Sequence, residues 1–295
     1  MRRPFNRRWA AAAAAAALTA SALVATAPPA SARDAAPIPP EVNLNDCPTL
    51  SELPKGADPN FWLCTVVVIT GGRLQFGTID QKIDKPIALT YANGFDPVTL
   101  EQSFVFRPLK GEPLKVAGGV LGIPGTDVLP FLELYAQAQL ARDPEVSPVD
   151  DPNVAYRMHM KIKNINPLLG DTCYVGSDSD PITLNLTFGT TNPPPPNKPI
   201  TGRGIEPHPD DPTVFTSTVV DNAFSVPKST GCGPWGLLNG IADFRAGLPA
   251  KAGTNTAVFE TMAKFRGYSE PTAINSLTKL RAAQAKIEAK VEQAR

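Results

Sequence analysis

From Tyr156 to Lys163 apolar and charged residues alternate without a break: Tyr156, Met158, Met160 and Ile162 on one side, Arg157, His159, Lys161 and Lys163 on the other. A period of two is that of an extended strand and does not fit a helix, whose period is 3.6. A strand with one apolar face needs a sheet to pair with and a second layer to cover it. The same alternation recurs at Leu134, Ala136, Ala138 and Leu140, and at Ile182, Leu184, Leu186 and Phe188. Residues 86–91, ending at Asn93-Gly94, 102–107 and 213–221 are further expected strands. β-Branched residues flank Gly71-Gly72, and two glycines so placed predict a hairpin turn, because the primed turns need positive φ. Residues 255–268 fit both periods and are read as a strand.

One internal helix is expected. Gly231-Cys232-Gly233-Pro234 opens it, Leu237, Leu238, Ile241 and Phe244 share a face, and Gly247 with Pro249 stops it. Residues 116–130 are glycine-rich and apolar with no clean period. A lipid-binding lip is the functional reading; an irregular loop lining the core is preferred. Pro193 to Pro196 should run as polyproline II over the surface. The fold class is therefore all-β: a disulfide-clipped β-sandwich of eight to ten strands with one short internal helix and a C-terminal helical tail. Its expected divisions are a signal peptide (1–32), an extended N-terminal arm (33–60), the sandwich domain (61–270) and the tail (271–295), in which Leu277, Leu280, Ile287 and Val291 form a seam interrupted by Gln284.

The leader assigns the expected compartment. Arg2, Arg3, Arg7 and Arg8 precede an alanine-rich run ending in Pro28-Pro29 and Ala30-Ser31-Ala32, the pattern of a secretory signal cleaved after Ala32. No transmembrane segment is expected after cleavage, and the export route stays open. The mature chain then carries 24 basic and 28 acidic residues, a formal charge of −4. Nucleic acid, which needs concentrated positive charge, is not an expected partner. In an exported chain Cys47, Cys64, Cys173 and Cys232 are most simply two disulfides. Sequence order favours Cys47 with Cys64 and Cys173 with Cys232, although three connectivities are formally possible. A zinc site is disfavoured, since no two cysteines stand two to four residues apart.

No catalytic constellation is recognisable. A serine hydrolase needs a nucleophile, a base and an orienting acid; G-x-S-x-G is missing, and the chain has two histidines. His208, in Glu206-Pro207-His208-Pro209-Asp210, is the weak catalytic candidate, with Asp210 and Ser177 or Ser179 as partners. Asp178 and Asp180 are weak calcium candidates in a loop better explained as an aspartate-serine turn. Asp150-Asp151 and Asp210-Asp211 would add ligands only if the fold gathered those loops. No metal or cofactor is expected. The polar face of Arg157, His159, Lys161 and Lys163 is a candidate docking surface for a wall polymer or phospholipid head groups, against the preferred reading of a solvated face that deters edge pairing.

The segments C-Y-V-G-S-D-S-D-P-I-T-L-N-L-T, T-T-N-P-P-P-P-N-K-P-I-T-G and V-P-K-S-T-G-C-G-P-W-G-L-L-N, with G-L-P-A-K-A-G-T-N-T-A-V, resemble a family of exported actinobacterial proteins without an established activity. The resemblance covers residues 61–265. It implies an exported compartment and paired roles for Cys173 and Cys232, and a sterol-ester hydrolase label attached to some members matches no catalytic position here. The expectation is a secreted or cell-wall-associated, non-enzymatic binding or structural protein whose partner is an envelope polymer, a lipid or an envelope protein. The alternative is a secreted lipid or sterol ester hydrolase.

Overall fold

The computed structural model describes residues 36–99 and 101–269; the expected signal peptide and helical tail lie outside the described residues. Strands follow in chain order as β1 (Trp62–Phe76), β2 (Ile79–Lys82), β3 (Ile87–Phe95), β4 (Gln102–Phe106), β5 (Lys110–Gly111), β6 (Leu114–Lys115) and β7 (Tyr135–Leu140). The second half supplies β8 (Glu145–Val146), β9 (Tyr156–Ile165), β10 (Tyr174–Val175), β11 (Ile182–Leu186), β12 (Arg203–Pro207), β13 (Val214–Asp221) and β14 (Ser229–Thr230). Helix α1 (Asn239–Ala246) precedes β15 (Thr256–Gly267). One sheet runs β12-β13-β15-β1-β3-β4, with β2 beside β1 and β5 beside β3; the other runs β14-β10-β9-β7-β6, with β11 and β8 beside β9.

The alternating strands bury their apolar faces against each other across the two sheets. Leu89 and Tyr91 of β3 and Phe259 of β15 share one apolar cluster with Met158, Met160 and Ile162 of β9. This is a β-sandwich clipped by two disulfides. β9 is the central strand of its sheet, paired by β7 on one side and by β10 and β11 on the other. Its charged face therefore guards no edge, contrary to expectation.

Gly71 and Gly72 do not turn the chain. β1 continues through them, and the register against β15 shifts between Ile69 and Gly71. Before this bulge Val67 and Ile69 face the core; after it Leu74 and Phe76 do. The parity has changed from odd to even. Without the extra residue Arg73 and Gln75 would point inward, because a one-residue slip exchanges the two faces of a strand. Gly72 is obligatory there: its φ is +104°, and a Cβ would lie 2.0 Å from the Val258 carbonyl oxygen. The second expected stop, Asn93-Gly94, likewise lies within β3, where Gly94 makes room for the Trp62 indole; a Cβ would fall 2.4 Å from it.

The N-terminal segment is not simply extended. It forms turns and two short 3-10 segments, and Val42 packs on Val66, Val68, Val214 and Met262 of the outer face of the β1 sheet. The disulfide Cys47–Cys64 fastens it, with 5.8 Å between Cα atoms. The second disulfide joins Cys173 to Cys232, 4.1 Å apart at Cα. Both pairs are those that sequence order favoured. The proline run contains a cis Pro195-Pro196 bond, so it departs from an all-trans polyproline II helix.

Pro234 opens a 3-10 turn, Pro234–Gly236, but α1 begins only at Asn239 because Trp235 and Gly236 take positive φ. Gly247 caps it in the left-handed conformation, its N–H donating to the carbonyls of Asp243 and Phe244. The side of α1 that packs inward is Leu238, Ala242 and Ala246, spaced by four residues; Leu237, Ile241 and Phe244 are exposed. Of the four residues expected on one face, Leu238 packs inward and the other three point outward.

Candidate functional site

The inward positions of β7 carry Ala136 and Ala138, and those of α1 carry Ala242 and Ala246. Facing them are Leu74 and Phe76 of β1 and Ile79 of β2. Four methyl groups where large side chains would meet leave the interior incompletely filled. The result is a cavity of about 110 Å³ between the sheets, walled almost wholly by apolar side chains. Protein interiors normally hold few voids larger than a water, and an unfilled one deprives its walls of dispersion contacts. An apolar void of roughly 150 Å³ accepts a benzene ring in place of water. Two roomier hollows, of about 590 Å³ beside Cys47–Cys64 and about 490 Å³ along residues 106–109 and 137–143, are open surface clefts with mixed polar walls.

Two polar groups in the cavity wall stand out. Ser229 is buried, and while its N–H donates to Asp243 Oδ1 at 2.6 Å, its hydroxyl has no hydrogen-bond partner among the described residues. An unmet buried hydroxyl costs about 1–3 kcal/mol, so it is a ready anchor for a polar atom entering the cavity. Arg245 lies at the mouth, where Nε donates to the Gly119 carbonyl at 3.3 Å and Nη2 to that of Ala117 at 3.1 Å. Burial pushes its pKa down, and no carboxylate offsets it. These two bonds tie α1 to residues 116–134, of which Val116 and Val120 also line the cavity. The glycine-rich segment thus does line the interior, while Leu121, Ile123, Val128 and Phe131 within the same stretch are exposed.

The residues singled out in the sequence lie elsewhere. His208 is buried beyond the edge strand β12; its Nε2 donates to the Ala36 carbonyl at 2.9 Å, and its Nδ1 accepts from the Asp210 N–H at 3.2 Å. Both ring nitrogens are occupied by backbone. Ser177 and Ser179 sit in the β10–β11 loop of the other sheet and bond each other at 3.1 Å, so the structure does not assemble His208 with either serine. Asp178 accepts from Lys161 Nζ at 2.6 Å, and Asp180 closes the turn through its N–H to Ser177 Oγ. Asp150 pairs with Arg157, and Asp211 with Thr213 and Lys264. No group of three or more metal-ligating side chains converges among the described residues.

The β9 polar face is largely neutralised from within. Arg157 donates to Glu145 at 2.6 Å and to Asp150 at 2.8 Å. His159 is buried among Arg142, Thr183 and Glu145. Lys161 pairs with Asp178 and lies over the Tyr174 ring, and Lys163 is half-buried. Sequence reasoning missed Ser229 and Arg245, which belong to no motif; the one available signal was alanine at the inward positions of an otherwise bulky strand pattern. Comparison of the chain with protein-family models, with curated proteins and with solved structures returns no match.

Proposed function

We propose that the protein is an exported, non-enzymatic binding protein that holds a slender apolar group, the terminal carbons of an acyl chain or a similarly narrow hydrocarbon, between its sheets. The observation that carries this reading is the alanine-walled cavity itself. A packed sandwich has no structural use for it, and burying a hydrocarbon there regains about 25 cal/mol for each Å² of apolar surface removed from water. Two formed disulfides fit a compartment outside the reducing cytoplasm, and the leader supports secretion or retention at the cell wall.

Binding is measured with an environment-sensitive apolar fluorophore and with mass spectrometry of ligand extracted from the purified protein. Ala138→Phe fills the cavity and is expected to abolish fluorophore binding without loss of thermal stability; Ala138→Met gives an intermediate loss. Unchanged binding in Ala138→Phe, in a variant that melts as the parent does, removes the cavity as the site. The second reading, a lipid or sterol ester hydrolase, has one observation in its favour: the unpartnered Ser229 hydroxyl in the cavity wall. No histidine lines that wall. This reading predicts ester turnover that Ser229→Ala abolishes, and turnover untouched by both Ser229→Ala and His208→Ala would separate the activity from either residue.

A further inference from the structure

Three segments distant in sequence meet at the cavity mouth. Residues 116–134 are held to α1 by Arg245. Asn166 Nδ2 donates to the Phe131 carbonyl at 3.0 Å, and the Gly233 N–H donates to the Leu169 carbonyl at 2.7 Å. Cys173–Cys232 locks the third segment to the turn before α1. On this rigid frame Ile123, Val128 and Phe131 of the first segment stand exposed, as do Trp235, Ile241 and Phe244 in and before the α1 to which Arg245 ties it, with Trp235 96% and Phe244 90% accessible. Large apolar side chains so gathered mark an interaction surface.

Charge decides which partner fits. Residues 116–134 and 233–247 contain four ionisable groups, Asp127, Glu133, Asp243 and Arg245. Each is engaged within the protein: Asp127 and Glu133 with Lys115, Asp243 with the Ser229 N–H, Arg245 with two carbonyls. These two segments therefore offer hydrocarbon and an indole with every charge engaged, and the third segment adds a single exposed acid, Asp171. The face is also continuous with the cavity, since Ile241 is both exposed and part of the lining. A protein partner seated here would seal the mouth, whereas a lipid surface would feed it. The described chain ends at Ser269, beyond the far end of β15, twelve residues of strand or about 40 Å from the α1 end.

We infer that this end of the sandwich docks on a lipid surface, inserting Trp235, Phe244 and the tip of residues 121–131 at the headgroup boundary so that an acyl chain passes directly into the cavity. Tryptophan suits that boundary because its ring is apolar and its N–H polar. The source of the ligand rests on the cavity reading above; the docking surface is tested apart from it.

The test uses the chain from Arg33 onward and neutral phosphatidylcholine vesicles. Trp9 is absent from that chain and Trp62 is buried, so Trp235 is its reporter. The expected results are flotation with the vesicles, a blue shift of Trp235 emission on their addition, and indifference to salt, which screens charges and not apolar contacts. Trp235→Ser with Phe244→Ser is expected to weaken flotation by about tenfold or more. Val98→Ser, 87% exposed in the turn after β3 at the opposite end, is expected to leave it unchanged. Fluorophore binding that persists while neither parent nor Val98→Ser floats overturns the docking surface and leaves the cavity reading intact. Flotation that the double variant lowers, in a protein whose cavity takes no fluorophore, supports docking and removes its link to the cavity. Binding that requires anionic lipid and fades with salt overturns the proposal, as does Trp235 emission already shielded from quencher without vesicles, which gives the face to a second copy or to the chain's own tail.

Discussion

Glu52 joins the N-terminal segment to the sandwich through a convergent set of donors. Arg107 donates to both of its carboxylate oxygens, at 2.8 and 2.7 Å, and the Thr49 N–H and hydroxyl donate at 2.7 and 2.9 Å. The Arg107 bonds first, then those of Thr49, lower the Glu52 pKa from an ordinary 4.5 to about 2. A carboxylate held below its unfolded pKa stabilises the fold above that value and loses the contribution as pH falls through the folded one. The window for Glu52 is therefore pH 4.5 down to about 2. Thermal melts across that range are expected to show Glu52→Gln less stable than the parent at pH 6 and converging with it near pH 2; a constant gap would place the effect elsewhere. The Thr49–Glu52 capping box is local, but its tie to the sandwich was not legible in the sequence, because Arg107 arrives from fifty-five residues away.

Elements were legible where a periodic pattern coincided with burial, as in β9 and β11, and misread where periodicity shows which side chains share a face but not what stands opposite. Of the expected face, Leu237, Ile241 and Phe244 stand exposed, and only Leu238 joins Ala242 and Ala246 on the inward side. Leu238 and Ala242 pack there with Leu169 and the Cys173–Cys232 bridge, and the short alanines leave part of the space beneath α1 open as the cavity. Gly71-Gly72 is the complementary case. Two glycines between apolar runs read as a turn by local chemistry, but β15 lies along the whole of β1, and continuous pairing on that side leaves the glycines to form a bulge. The cavity had no sequence signature beyond its inward alanines, because its walls are drawn from ten strands, the loops between them and a helix, and those alanines are more than a hundred residues apart.

For the whole molecule, the two bridges clamp opposite ends. Cys64 pairs with Arg266 at the far end of β1 and β15, whereas Cys232 lies at the start of the turn leading into α1 beside the cavity. Loops of 17 and 59 residues correspond to about 3 and about 4 kcal/mol in the chain-entropy model. Replacing Cys173 and Cys232 together by alanine is expected to lower stability in urea by the larger amount and also to weaken fluorophore binding. Replacing Cys47 and Cys64 is expected to cost stability alone. Equal loss of binding in both would mean that the mouth is not specifically held by its bridge.

The strand order also imposes a sequence in time. β15 is the last strand described, yet it lies between β1 and β13, and Val42 rests on Val214 and Met262, which come more than 170 residues later. Val66, Val68 and Ala88 offer the N-terminal segment part of its seat early, but its contacts on Val214 and Met262 wait until β15 has been made. Assembly of the larger sheet therefore waits until β15 has been made. A topology of this kind favours slow folding, because its closing contacts are between distant parts of the chain, and it leaves the seat of Val42 half-built until the last described strand arrives.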